Sequence, residues 1–577
     1  MIQTLLLACL FSPAAVQLDG GDTLVADLVP GAAGSSPAFQ AAAGERLLLT
    51  HTTPVGTVLW SSDGTSAGTV DLAVFAGPGV SPPSDFAEVG GRVLFSTDEA
   101  LWTSDGTPAG TTPFLNYQAS LGIGVQFPSW SASLGDRAVV CVRGLGPGSS
   151  ESESHLVVTD GTAGGTVWIG TLLGSLNGRT AGERIYFLGN DGGGAGYELW
   201  TTDGSAPGTA QVLDANPGGN AALGASAELG GDLVGAFEDA FGDRELWRSD
   251  GSAAGTVRLA DIQPGPLGST PGSFAPVGVD APGVLVFSAT GPEGLEPWRT
   301  DGTSAGTFLL ADLRPGPDGG LVGGPVGAGP WAYFFARPVP GGASELWRTD
   351  GSVAGTALVA SFVGSATTFE MSGLPDGRVV FGANGGSAGD ELWVSDGTAA
   401  GTELLADIDP AGSSEPGFPR RVGANVFFRA DDGSLGSELH AVTVAEAGGW
   451  VVERYGAGCS AAPAAPRATW SGAPSLGDTF SVGVEGAAPL AAVVHVFGTG
   501  FAELPLGAAC VLWVDAPGIL GGYTADAAGA GTLPPTPLPD EPALAGLLLT
   551  FQAAASEPGG PYLGFALSDG LEVVVGP

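Results

Sequence analysis

Apolar residues recur along this chain in short bursts, each closed by Gly, Pro, Asp or Ser. Between residues 256 and 307 the bursts are Val257-Arg258-Leu259-Ala260-Asp261-Ile262, Phe274-Ala275-Pro276-Val277, Val284-Leu285-Val286-Phe287 and Glu296-Pro297-Trp298-Arg299. Segments this short, apolar or alternating and bounded by turn residues, pattern as antiparallel strands and hairpins. No stretch sustains an apolar period of 3.6 residues, so the pattern predicts an all-β protein.

The bursts belong to a repeat. Asp-Gly pairs stand at Asp63, Asp105, Asp160, Asp203, Asp250, Asp301, Asp350 and Asp396, spaced by 42, 55, 43, 47, 51, 49 and 46 residues. Periods in the forties are those of propeller blades and solenoid units. Three residues before each Asp stands Trp60, Trp102, Trp200, Trp247, Trp298, Trp347 or Trp393, with Val157 as the one replacement. Five residues after each Asp comes the Gly of a Gly-Thr pair, from Gly68-Thr69 to Gly401-Thr402. Four strands per repeat is the blade of a β-propeller.

Turn chemistry accounts for the signature without a ligand. Asp-Gly supplies positive φ, the Asp side chain accepts from amides two or three residues on, and Gly-Thr opens a new strand. The expectation is that this turn carries the chain from the last strand of one blade to the first of the next. The Trp is expected in a slot between neighbouring sheets, with one acceptor for its indole N–H.

Taken together, Glu391-Leu392-Trp393 and Asp396-Gly397-Thr398 resemble the ELWxxDGT repeat of large secreted bacterial proteins. The resemblance spans residues 22–442 and implies a repeat region on an exported protein; it transfers no general activity. The turn is also similar to the Asp-box hairpin of sialidase-like propellers, at a different spacing.

The repeat begins at Leu24-Val25-Ala26-Asp27-Leu28 and ends at Glu438-Leu439-His440, where His440 replaces the Trp and no Asp-Gly-Thr follows. Nine four-strand sets with eight turns fit nine units closing a ring. Eight blades is the alternative, if the third unit is irregular or the end units share a blade. An open solenoid is disfavoured because neither end unit resembles a polar cap.

Residues 1–17 read as an export signal, with a short apolar core around Leu5, Leu6 and Leu7, small Ala14-Ala15 near a cleavage point and no basic n-region. Leu6-Leu7-Ala8-Cys9 faintly resembles a lipobox. Beyond the repeat, residues 455–577 alternate apolar strands with Pro/Gly turns and predict a separate β-sandwich. Gly458-Cys459, Cys510 and Leu549-Thr550-Phe551-Gln552 resemble a C-terminal module of exported planctomycete proteins. Cys459 and Cys510 are the candidate disulfide in an oxidising compartment, with two buried thiols as the alternative.

Charge narrows the partners. The chain carries a net charge of −41 and every basic residue is Arg. Nucleic acid and anionic membranes need a basic patch, so neither is an expected partner. No stretch of the mature chain is apolar for long enough to span a bilayer. The expected location is secreted, periplasmic or on the cell surface.

Candidate chemistry is sparse. His51, His155, His440 and His495 lie outside metal-ligand spacing of one another, and no Gly-x-Ser-x-Gly elbow occurs. Glu198, Glu245, Glu296, Glu345, Glu391 and Glu438 repeat two residues before the Trp position. A residue needed in every blade reads as structural, because glycosidase carboxylates form a single pair at a set distance. No catalytic residue and no cofactor is assigned. Calcium is the one ion considered, and Asp191, Asp239, Asp243, Asp431 and Asp432 near hairpin tips are its candidates. The sequence points to a non-catalytic binding or scaffold protein, its ligand an extracellular carbohydrate or protein. The alternatives are a polysaccharide hydrolase or lyase, and a structural envelope or matrix protein.

Overall fold

A computed structural model describes residues 23–443, apart from 32–33, 55, 78–80, 215, 218, 239–240, 279–282, 364–369 and 388, and beyond residue 450 the backbone of strands only. The chain divides into two units, with Leu18–Val444 forming one.

In that unit the short apolar bursts pair as antiparallel four-stranded sheets, and there are nine of them. The described residues contain one short helix, Tyr117–Leu121. Blades 1 to 8 begin at Ala38, Ser84, Gly124, Gly174, Ala222, Gly272, Leu321 and Met371, and blade 9 at Gly417. Each blade's first strand neighbours the first strands of the blades on either side, and that of blade 9 meets that of blade 1. The first strands therefore form a closed inner ring around a central channel, giving a nine-bladed β-propeller.

The sheets correct the expected phase of the repeat. Asp63-Gly64-Thr65 does not join two blades: it turns strand Gly56–Ser62 into Val70–Phe75, the third and fourth strands of blade 1. The other seven Asp-Gly turns do the same in blades 2 to 8. Blade 9 lacks the turn because its outer strand is Leu24–Ala26, from the start of the repeat region, paired antiparallel with Ser437–Thr443. Nine blades thus need eight hairpins. Thr23 Oγ1 meets Nδ1 of His440 at 2.9 Å, and His440 is buried and stacked on Phe428.

Burial follows from this geometry. Both faces of the middle strands are covered by neighbouring blades, so Arg184–Asn190 and Asp232–Glu238 are buried along most of their length, unlike half-solvated strands that alternate. Each Trp of the repeat is half-buried against the preceding blade: Trp393 edges onto Phe362 at 5.3 Å, and Trp102 onto Phe75 at 5.4 Å. Half-burial of an indole contributes ~2 kcal/mol. The expected indole acceptor is found in blade 7, where Trp347 donates to Glu345 at 3.0 Å. The indole N–H groups of Trp60, Trp247, Trp298 and Trp393 are buried with no acceptor among the described residues. Packing, then, is what the Trp supplies.

Beyond residue 450 a five-stranded antiparallel sheet runs in the order Val451–Tyr455, Phe565–Val574, Leu548–Ser556, Ala492–Gly498, Gly518–Thr524. A smaller sheet pairs Arg467–Ser471, Thr479–Glu485 and Gly531–Thr532. Cys9, Cys459 and Cys510 lie outside the described residues.

Candidate functional site in the central channel

The repeated residues are occupied by the fold. In the first turn Asp63 Oδ1 accepts from the amide of Thr65 at 3.0 Å and from its hydroxyl at 2.7 Å, while that hydroxyl accepts from the amide of Gly68 at 2.9 Å. The hydroxyl bond from the Ser or Thr two residues on holds the carboxyls of Asp105, Asp160, Asp203, Asp250, Asp301 and Asp350 below their ordinary range. The Gly of Asp-Gly sits at φ of +81° to +89° in all eight turns. The later Gly has a different reason: a Cβ on Gly68 or Gly401 would lie 2.0 or 2.2 Å from the turn carboxylate.

The repeated Glu also has a mechanical task. Glu391, buried in its strand, accepts from the amides of Ile408 at 2.8 Å and Ser414 at 3.0 Å, and from the Ser414 hydroxyl at 2.7 Å. Glu245 takes Ile262, Gln263 and Ser269; Glu296 takes Leu313, Arg314 and Gly320; Glu438 takes Leu28 and Ser35. Each carboxylate clasps the crossover from an outer strand to the next blade's inner strand. Glu198 meets the amide of Asn216 at 3.4 Å, and Glu345 instead serves the Trp347 indole. Burial pushes the Glu296 carboxyl up to about 7, outweighing its three amide donors, and burial likewise raises Glu438. Blades 1 to 3 carry Val58, Ala100 and His155 at this position. Blade 3 needs no clasp, since only Leu173 separates its outer strand from blade 4.

The calcium candidates scatter. Asp191 Oδ1 accepts from the Gly193 amide and Asp431 Oδ1 from Gly433; Asp432 Oδ1 accepts from Ser434 and Leu435. Asp239 lies outside the described residues. Asp243 gathers with Glu245 and Asp261 at spacings a metal could bridge, but the Arg258 guanidinium lies 3.0 Å from Asp243 and 2.6 Å from Asp261 and supplies the cation itself. His51 and His155 are buried strand residues, and burial holds His155 below its ordinary value; the side chain of His495 lies outside the described residues. Burial pushes the Cys141 thiol up to about 12, so it is no nucleophile.

What the sequence reading did not find lies on the inner strands. Pairing with the second strand skips residues near the same point in several blades: between Ser84 and Ala87, Leu176 and Arg179, Gly272 and Ala275, and Gly417 and Arg420. These bulges re-aim side chains toward the channel. The first bulged residue has positive φ in each: Asp85 at +53°, Asn177 at +61°, Ser273 at +51° and Phe418 at +54°. Asp and Asn adopt this conformation at small cost and Ser is compact; a Phe there is an outlier that costs ~1–3 kcal/mol. Phe418 nonetheless remains 49% exposed.

Phe418 borders a cavity of about 580 Å³ lined also by Phe39, Ser273, Phe274, Glu370, Met371 and Arg420 from blades 1, 6, 8 and 9, and by Gly324–Val326 of blade 7. The Arg429 guanidinium covers one face of the Phe418 ring, 4.0 Å from its centroid. Glu370 accepts the Phe418 amide. Arg420 donates to the Gln40 carbonyl at 3.0 Å and lies 3.7 Å from Glu88, whose carboxylate accepts the Ala42 amide at 3.0 Å. Charged groups at this seam are therefore bonded across blades 9, 1 and 2, and none belongs to the Glu-Leu-Trp and Asp-Gly-Thr signature. A sequence signal existed in Gly417-Phe418-Pro419-Arg420, which has the composition of a turn yet carries an aromatic and a cation.

No family model and no curated protein matches this sequence. Among solved structures it is similar to a prolyl endopeptidase at 11% identity and TM-score 0.35, over 79% of this chain and 56% of that one. It is also similar to the β-propeller domain of the Trilobed protease from Pyrococcus furiosus at 10% identity and TM-score 0.31, over 56% of this chain and 97% of that one. A third is TolB from Acinetobacter baumannii, at 12% identity and TM-score 0.26, over 46% and 63%. The chain thus spans a little over half the length of the first, at 56%.

Proposed function

We propose that this is an exported ELWxxDGT-repeat protein, a non-catalytic binding module whose propeller takes an extracellular ligand at the channel cavity. The observation that carries the reading is Phe418, a bulky residue held in a strained conformation yet half exposed beside a cavity that no repeat residue requires. Strain of this kind persists where function uses it. In the same proposal residues 1–17 supply the export signal and the C-terminal unit is a β-sandwich. Capture of extracellular carbohydrates or proteins by the immobilised full chain tests the binding; no capture from either class counts against it.

One observation favours a second reading, a polysaccharide hydrolase or lyase: Glu370 is a carboxylate lining the channel cavity, and Glu88 pairs with Arg420 at its rim. Both already hold backbone amides, a duty that suits bracing better than proton transfer. Release of reducing ends or unsaturated products from a polysaccharide, abolished in Glu370→Gln, would establish the catalytic reading instead.

A further inference from the structure

We infer that the channel ligand is a neutral saccharide seated on the free face of Phe418; this rests on the binding-module reading above. Three features of the cavity select the class.

The first is charge. Arg420, the one cation lining the cavity, is committed to Glu88 and the Gln40 carbonyl, so the seam offers an anionic ligand no uncommitted counter-charge. A net charge of −41 disfavours polyanions further.

The second is the ring. With the Arg429 guanidinium 4.0 Å over one face of Phe418, the π density is already drawn toward a cation. The opposite face then suits the C–H face of a pyranose better than a second cation.

The third is the mixture of polar groups. Ser273 contributes an exposed hydroxyl that donates and accepts, and Glu370, whose Oε2 takes the Phe418 amide, presents its other carboxylate oxygen as an acceptor, among Phe39, Phe274 and Met371. Sugar hydroxyls both donate and accept, which matches this mixture. A cavity of about 580 Å³ is of the size that holds a small ligand such as a few sugar rings.

The test is calorimetric titration of the full chain with neutral hexasaccharides of glucose, mannose and N-acetylglucosamine, alongside oligogalacturonate and decaproline. It is run on the native chain, Phe418→Gly and Phe418→Trp. Glycine accepts positive φ, so Phe418→Gly removes the platform while relieving the backbone. The expected result is that one neutral hexasaccharide binds, that Phe418→Gly weakens it at least tenfold without lowering the melting temperature, and that Phe418→Trp retains it. Phe418-dependent binding of decaproline or oligogalacturonate, with no neutral sugar bound, overturns the neutral saccharide while sustaining the channel as the binding site. A neutral sugar that binds Phe418→Gly undiminished overturns the site. Binding by none of the probes overturns the saccharide inference.

Discussion

At the outer end of blades 1 to 8 an Asp is held by the Ser or Thr two residues on and presses against a Gly that has no room for a Cβ. At the inner end, the residue at the left-handed position of the bulge is Asp85, Asn177, Ser273 or Phe418. The outer feature recurs because each blade must solve the same hairpin. The inner one varies because the bulge fixes only a backbone conformation and leaves the side chain free to face the channel. Invariance within the molecule therefore marks construction, and variation at a common backbone position marks the surface open to recruitment.

The comparison breaks most visibly at blade 9, where the hairpin is replaced by strand Leu24–Ala26. A chain beginning at residue 29 loses the buried Val25, the outer ladder and the Leu28 amide held by Glu438. The expected loss is on the order of 5 kcal/mol, larger than for any single hairpin substitution, and chemical denaturation measures it.

The clasping carboxylates sharpen the comparison through pH. Glu296 has a folded value of about 7 against an ordinary 4.5, so its contribution is fully present below pH 4.5 and is lost as pH rises through 7. That window is worth ~3 kcal/mol. Stability of the native chain should fall over pH 4.5–7 more steeply than that of Glu296→Gln, whichever is more stable at a given pH. The turn carboxyls act with the opposite sign: their lowered values add stability above the ordinary Asp range and lose it as pH falls. Equal slopes for the two proteins in urea titrations across the window would refute the assignment to Glu296.

Within a hairpin, Gly401→Ala places a Cβ 2.2 Å from the Asp396 carboxylate and must expel it from the turn. The expected loss is ~2 kcal/mol. Alanine at Gly170, which has nothing within 4 Å of a Cβ, should cost much less, and a similar cost at both positions would remove the packing explanation for the repeated Gly.

The sequence made the repeat and its all-β class legible because turn chemistry is local: Asp, Gly and Ser or Thr act within a few residues. The phase of the sheets was not legible. Tandem antiparallel strands look alike wherever the blade boundary is drawn, so the Asp-Gly turn reads equally well between blades and within one. Eight turns for nine sets did not decide it, since nine blades joined in series also need eight links. The Glu was legible as structural, but for Glu245 and Glu391 the partners lie about 17 to 24 residues downstream, and for Glu438 at the other end of the repeat region, and all depend on the crossover path. Phe418 was missed because its role rests on a register shift against the Asn425–Asp431 strand, and pairing register is a property of the folded sheet.

The central claim is that the repeat builds and the channel binds. Its most direct test is to measure melting temperature and saccharide affinity together for Gly401→Ala and Phe418→Gly. The account predicts a crossed result, in which Gly401→Ala melts lower with affinity intact while Phe418→Gly melts no lower and binds at least tenfold more weakly. Parallel loss of both properties in either variant, or loss of affinity in Gly401→Ala alone, would contradict it.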